Sequence, residues 1–184
     1  MKNKIIYRGY GVCAVSGGAD SFIASHADLY YCRLGADTDA PVFKGIPENV
    51  GSAYPKDCIY NAACTGKFFI HRLDITAPAL LKAAEESGMR MIDVPQGYTK
   101  CSTLIVDEDS IVTSDRGIEK KCSAAGMDVL LVTPGHVELE GFRYGFIGGA
   151  SGRIEDTILF EGDLSRHPDF EKIEEFIRLK GLAC

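Results

Sequence analysis

The sequence predicts an α/β fold built from repeated β-hairpin–helix–strand units within a single domain of residues 1–184. Three observations carry this reading. First, Gly88-Met89-Arg90-Met91-Ile92-Asp93-Val94-Pro95-Gln96-Gly97 and Gly126-Met127-Asp128-Val129-Leu130-Leu131-Val132-Thr133-Pro134-Gly135 repeat one pattern. Each is a glycine that ends a helix, an apolar strand, then a turn rich in Pro and Gly. Second, apolar runs on both sides of a polar tip, Asp107-Glu108-Asp109-Ser110, read as a hairpin. Third, Asp115 stands where a helix N-cap is wanted and Gly126 where that helix must end.

The elements follow in order. Val12-Cys13-Ala14-Val15 is apolar enough for a strand, and Ser16-Gly17-Gly18 sits where the other copies place a strand-ending turn. A helix over 20–26 has room for only two turns before the aromatic-rich strand 29–34. The next unit reads Tyr54-Pro55-Lys56-Asp57, a strand, a tip at 65–67 and a strand over 68–70. Its helix spans about 77–87, with Pro78 tolerated in the first turn and Leu80, Leu81 and Ala84 on one face. The second unit is a hairpin over 98–113 and a helix to about residue 125. The third is a strand over 144–150, a turn near 152–156, a strand over 157–160 and a helix over 168–180. That helix buries Phe170, Ile173, Phe176 and Ile177. The last unit is incomplete, because Gly181-Leu182-Ala183-Cys184 only begins the return strand. Such repeats cannot bury their faces alone, so a closed or oligomeric arrangement is expected, a homo-oligomer among its forms.

Composition narrows the function. Of 184 residues, 46% are hydrophobic and 25% charged, as in soluble globular proteins. The net charge is −6 and no basic stripe appears, which argues against nucleic acid as a partner. No apolar run approaches the roughly 18 residues of a membrane span, and no secretory leader is visible. The seven cysteines are odd in number and lack a Cys-x-x-Cys pair, so they read as reduced thiols in a cytoplasm. No close ligand spacing suggests a metal, and no cofactor is expected.

Val15-Ser16-Gly17-Gly18-Ala19-Asp20-Ser21 resembles the phosphate loop of the ATP pyrophosphatases. That likeness implies nucleotide binding at a helix N-terminus. The following helix is short for that role, and the repeat pattern explains the same residues as a turn.

The hairpin–helix–strand unit repeated about a pseudo-symmetry axis is similar to the pentein fold, an α/β propeller. This is the fold of the guanidino-group-modifying superfamily of deiminases, dimethylarginine hydrolases and amidinotransferases. A ribosome anti-association factor shares it without catalysis. Residues 9–184 carry the likeness. It is clearest at Tyr54-Pro55-Lys56-Asp57-Cys58-Ile59-Tyr60-Asn61, Ile111-Val112-Thr113-Ser114-Asp115 and Tyr144-Gly145-Phe146-Ile147-Gly148-Gly149-Ala150-Ser151-Gly152, and resembles a bacterial branch of that superfamily.

The resemblance implies a cysteine nucleophile, a histidine acid/base and carboxylates that accept paired N–H bonds from a guanidinium. The superfamily's histidine commonly stands in His-x-[Asp/Glu], a pattern met by His136-Val137-Glu138 and by His26-Ala27-Asp28. Its nucleophile lies in the final repeat, where this chain has only Cys184. Aligning Tyr54-Pro55-Lys56-Asp57 with Tyr98-Thr99-Lys100-Cys101 makes Asp57 and Cys101 equivalent, with Gly145 as the third member. In the resembled fold such positions face the axis.

The expected site is therefore Cys101 as nucleophile, His136 moving protons and Glu138 beside it. Asp57, Asn61, Gly148, Gly149 and Ser151 would contact a small-molecule substrate. N–H groups in the glycine pair would suit an anion or oxyanion. The reaction implied is hydrolysis or transfer at a C–N bond of a guanidino or amidine compound. The alternative is a non-catalytic module that binds a small ligand or a protein. In that case Cys101 is a core thiol, Asp57 a turn residue and the glycines a tight packing contact.

Overall fold

The computed structural model describes residues 26–184, together with the backbone of two short antiparallel strands, β1 (Ile6–Tyr7) and β2 (Tyr10–Gly11). The loop-like stretch 16–21 and the strand and helix predicted around it lie outside the described residues.

A 3-10 turn at Ala27–Leu29 leads into β3 (Tyr31–Arg33), which pairs antiparallel with β4 (Val42–Lys44). Only a 3-10 turn follows this hairpin. The next unit is complete. β5 (Ala63–Cys64) turns at Gly66, whose φ is +93°, into β6 (Phe68–His71). All four β6 residues are buried, which suits a central strand covered on both faces. Pro78 opens α1 (Pro78–Glu86), where its missing N–H costs nothing. Leu80 and Ala84, one turn apart, face inward. The chain returns as β7 (Arg90–Asp93), parallel to β6.

The second unit repeats this. A single helical turn, α2 (Thr99–Ser102), precedes β8 (Thr103–Ile105) and β9 (Ser110–Thr113), which are antiparallel. Asp115 caps α3 (Arg116–Ala124): its Oδ1 accepts from the N–H groups of Gly117 at 2.7 Å and Ile118 at 2.9 Å. β10 (Asp128–Leu131) returns parallel to β9. In the third unit β11 (Ser151–Ile154) pairs antiparallel with β12 (Thr157–Phe160), and α4 (Phe170–Leu179) follows. Ala183 then forms a parallel bridge to Thr157 of β12, the position a return strand takes in the other units.

Two expected strands are replaced. Residues 98–102 form a helical turn rather than the start of a strand. Thr99 Oγ1 donates to Gln96 O at 2.6 Å and the Ser102 N–H to Tyr98 O at 2.9 Å, so bonding stays local. Residues 144–150 are also strandless. The N–H groups of Gly149 and Ala150 both bond back to Phe146 O, and Ser151 Oγ donates to Ile147 O at 2.6 Å. A sheet ladder would need such groups to point outward.

The first strands of successive hairpins, β3, β5, β8 and β11, lie beside one another in chain order. Each unit boundary is filled by a shared apolar cluster. Phe68, Ile70 and Ile92 of one unit meet Ile111, Ile118 and Cys122 of the next. Leu104 and Val112 in turn meet Ile158, Ile173 and Ile177. Each unit therefore needs its neighbour to bury its helix, and the core is continuous only through the repeats. Among the described residues the architecture is mixed α/β with small two- and three-stranded sheets and four helices, without a closed barrel. No helix among them is long and apolar enough to cross a membrane.

Candidate functional site

The segments leading into the first strands converge. Asn61, Cys101 and Gly149 each stand two residues before one of them, ahead of β5, β8 and β11. Asn61 Nδ2 donates to Asp28 O at 3.0 Å and to Cys101 Sγ at 3.2 Å, while its Oδ1 accepts the Cys101 N–H at 3.1 Å. The Gly149 N–H donates to Cys101 O at 2.8 Å. One chain of hydrogen bonds thus crosses four hairpins. The repeat equivalence falls on Asn61, Cys101 and Gly149, four residues beyond the Asp57 and Gly145 of the sequence alignment. Residues 54–57 form a turn ahead of the Asn61 segment.

A cavity of about 250 Å³ opens beside Cys101. Tyr98, Phe142, Tyr144 and Phe146 supply aromatic walls, and His26, Glu138 and Glu161 line it as well. The Tyr98 and Phe146 rings stack with centroids 6.5 Å apart. Much of the wall comes from residues 132–150, which join β10 to β11 without a helix or strand. Irregular segments this long are usually functional in compact domains. This one is pinned where the Thr133 N–H donates to Asp169 Oδ2 at 2.7 Å and the Gly145 N–H to Val137 O at 2.7 Å.

Cys101 is only 6% exposed, and its thiol is pushed up to about 12. Burial is the main cause, and the Asp28 carboxylate adds to it; the Asn61 hydrogen bond and Lys100 oppose it. The thiol is therefore protonated at neutral pH. Burial and the bond to Asp57 also raise the Tyr98 phenol well above its ordinary value.

The other predicted site residues divide. Glu138 and Gly149 line the cavity with Cys101. Asp57 is 2% exposed and stands behind Tyr98, whose hydroxyl donates to Asp57 Oδ2 in a short hydrogen bond. Asp57 Oδ1 is buried without a hydrogen-bond partner among the described residues. Asn61 is fully buried, so it holds Cys101 instead of facing the cavity. Gly148 is a packing glycine: a Cβ there would lie 2.3 Å from both Lys100 O and Thr103 O. The Ser151 hydroxyl is spent within its own turn. His136 does not line the cavity; its ring meets His167 edge-on at 5.3 Å. His26, which shares the His-x-[Asp/Glu] pattern, lines the cavity where His136 was expected. The aromatic walls and Glu161 were not singled out from sequence, although Phe142-Arg143-Tyr144-Gly145-Phe146 is a dense aromatic run. No group of three or more His, Cys, Asp or Glu among the described residues is placed to hold a metal ion.

A family model matches residues 12–184. The chain belongs to DUF6873, a family of unknown function. The matched span takes in every hairpin–helix–strand unit and all the cavity residues of this DUF6873 member. No curated protein and no solved structure matches the chain significantly.

Proposed function

We propose that this DUF6873 member is a pentein-like α/β propeller enzyme that hydrolyses or transfers across a C–N bond of a guanidino or amidine compound. One observation carries the reading: Cys101, His26 and Glu138 line a single cavity together with four aromatic residues. The side-by-side first strands and the parallel bridge at Ala183 support the pentein-like part. In the reaction, Cys101 Sγ adds to the central carbon as a thiolate. Its proton passes to His26, which returns it to the leaving amine as the C–N bond breaks. Water or an acceptor amine then displaces the sulfur. Glu138 accepts N–H bonds from the cation. The raised resting thiol fits this sequence of events, because a guanidinium seated beside it adds the positive charge that favours the thiolate. The six cysteines among the described residues are all free thiols, which supports a reducing cytoplasmic setting.

The test is release of ammonia or amine from a panel of guanidino and amidine compounds, with Cys101→Ala as the control. Turnover that Cys101→Ala abolishes is the expected result. The depth and protonation of Cys101 favour a second reading, a module that binds such a cation without reacting. Saturable binding without turnover, and without cation-stimulated alkylation of Cys101, identifies that module.

A further inference from the structure

We propose that Asn61 is the positioning residue for Cys101: its side-chain amide presents an N–H to the sulfur, favours the thiolate over the thiol, and ties that residue to the segment carrying His26. This rests on the reading of Cys101 as the nucleophile. Asn61 is fully buried, and each of its polar atoms is bonded. Nδ2 donates to Asp28 O at 3.0 Å and to Cys101 Sγ at 3.2 Å, while Oδ1 accepts the Cys101 N–H at 3.1 Å. The Asn61 backbone N–H donates to Cys58 O at 3.0 Å, and its carbonyl accepts the Lys100 N–H at 2.9 Å. The amide can be seated in only one way. Turned over, Nδ2 would face the Cys101 N–H, donor against donor, and Oδ1 would face the Asp28 carbonyl. A donor is therefore fixed on the sulfur.

A neutral thiol makes poor use of that donor. Thiol sulfur is a weak acceptor, whereas a thiolate is charged and takes the same bond strongly. The bond thus strengthens when Cys101 loses its proton, and it opposes the burial that keeps the proton on. The bond to Asp28 O has a second effect. Asp28 stands two residues after His26, and His26 and Cys101 both line the cavity. The Asp28 side chain is tied to the same neighbourhood, with Oδ2 3.6 Å from the Nζ of Lys100, the residue before Cys101. Proton transfer needs its two groups kept in register, and one buried amide joins the segments that carry them. Asn61 does not line the cavity, so it acts through Cys101 and not on substrate.

The experiment compares the full native chain with Asn61→Ala and Asn61→Asp by iodoacetamide labelling at one mildly alkaline pH, read by peptide mass spectrometry for Cys101 and Cys122. Cys122 is the matched control: it is buried in a different apolar cluster, burial likewise raises its thiol to about 12, and it reports any opening of the whole fold. Asn61→Asp keeps the side-chain shape and an acceptor for the Cys101 N–H but removes the amide donor, so it carries the test if Asn61→Ala does not fold. The Cys101 rate relative to Cys122 should fall at least about tenfold in the folded variants. A purely structural tie predicts the reverse for Asn61→Ala, because the void it leaves admits the reagent. An unchanged or raised ratio in either folded variant overturns the proposal. With a guanidino compound that the native chain turns over, Asn61→Asp should lower kcat at least about tenfold and leave KM in place, since Asn61 touches no substrate. Native turnover with undiminished kcat in the variant overturns the role of Asn61 and leaves the proposed reaction standing. A lowered labelling ratio without native turnover ends the proposed reaction and leaves the hold of Asn61 on the thiolate standing.

Discussion

Asn61 and Cys101 hold each other across a repeat boundary: the Asn61 amide donates to the Cys101 sulfur at 3.2 Å and accepts its backbone N–H at 3.1 Å. Both side chains are buried, so neither group can turn to water for a replacement. Asn61→Ala leaves the Cys101 N–H without its partner and opens a small void. We expect a loss of about 2 kcal/mol, read as a lower urea midpoint with unchanged slope. An unaltered midpoint would mean that the pair contributes nothing to the boundary.

Cysteine reactivity should follow burial. Cys184 is exposed, whereas Cys32, Cys58, Cys64, Cys101 and Cys122 are buried. With its thiol at about 12, Cys101 holds very little thiolate at pH 7. Iodoacetamide should therefore label Cys184 ahead of these five buried cysteines and Cys101 slowly, as read by peptide mass spectrometry. A cation that occupies the cavity without covering the sulfur should accelerate Cys101 more than the other four buried sites. Rapid labelling of Cys101 in the ligand-free protein would contradict its protonated, buried state.

Glycine requirements differ sharply within one segment. A Cβ at Gly148 would meet two backbone carbonyl oxygens at 2.3 Å, and backbone cannot step aside as a flexible side chain can. Gly148→Ala should cost about 3 kcal/mol or prevent folding. At Gly152 a Cβ would meet nothing within 4 Å, so Gly152→Ala should change stability by less than about 0.5 kcal/mol. Thermal melts of the two variants side by side make the comparison.

His71 gives the fold an acid dependence. The Gly97 carbonyl 2.9 Å from Nε2 can only accept, so Nε2 carries the proton and Nδ1 accepts from the Thr76 hydroxyl at 2.7 Å. Burial lowers the imidazole from 6.5 to about 4. The unfolded chain then binds a proton between these values that the folded chain refuses. This contribution is complete above pH about 6.5 and falls with decreasing pH, by roughly 3 kcal/mol at pH 4. Urea midpoints at pH 7 and pH 4.5 should converge more in His71→Gln than in the native protein. An identical pH dependence in the two would remove His71 as a cause.

What the sequence alone determined is local. Pro78, Asp115, Gly88 and Gly126 act within a turn of their own backbone, so three helices were legible at nearly their observed bounds. The hairpin tips and return strands were legible for the same reason, since alternating burial and turn residues sit side by side in the chain. Tertiary structure decided the rest. Whether Asp57 or Asn61 matches Cys101 depends on which side chain reaches a sulfur 40 residues away, and spacing carries no such signal. His26 and His136 share one motif, yet only His26 lines the cavity, while His136 packs against His167. Residues 144–150 have the composition of a strand, but close packing of Gly148 on Lys100 and Thr103 folds them into a wall. Caps and turns are fixed by neighbours in sequence; a cavity is fixed by contacts between units that only the packed repeats bring together.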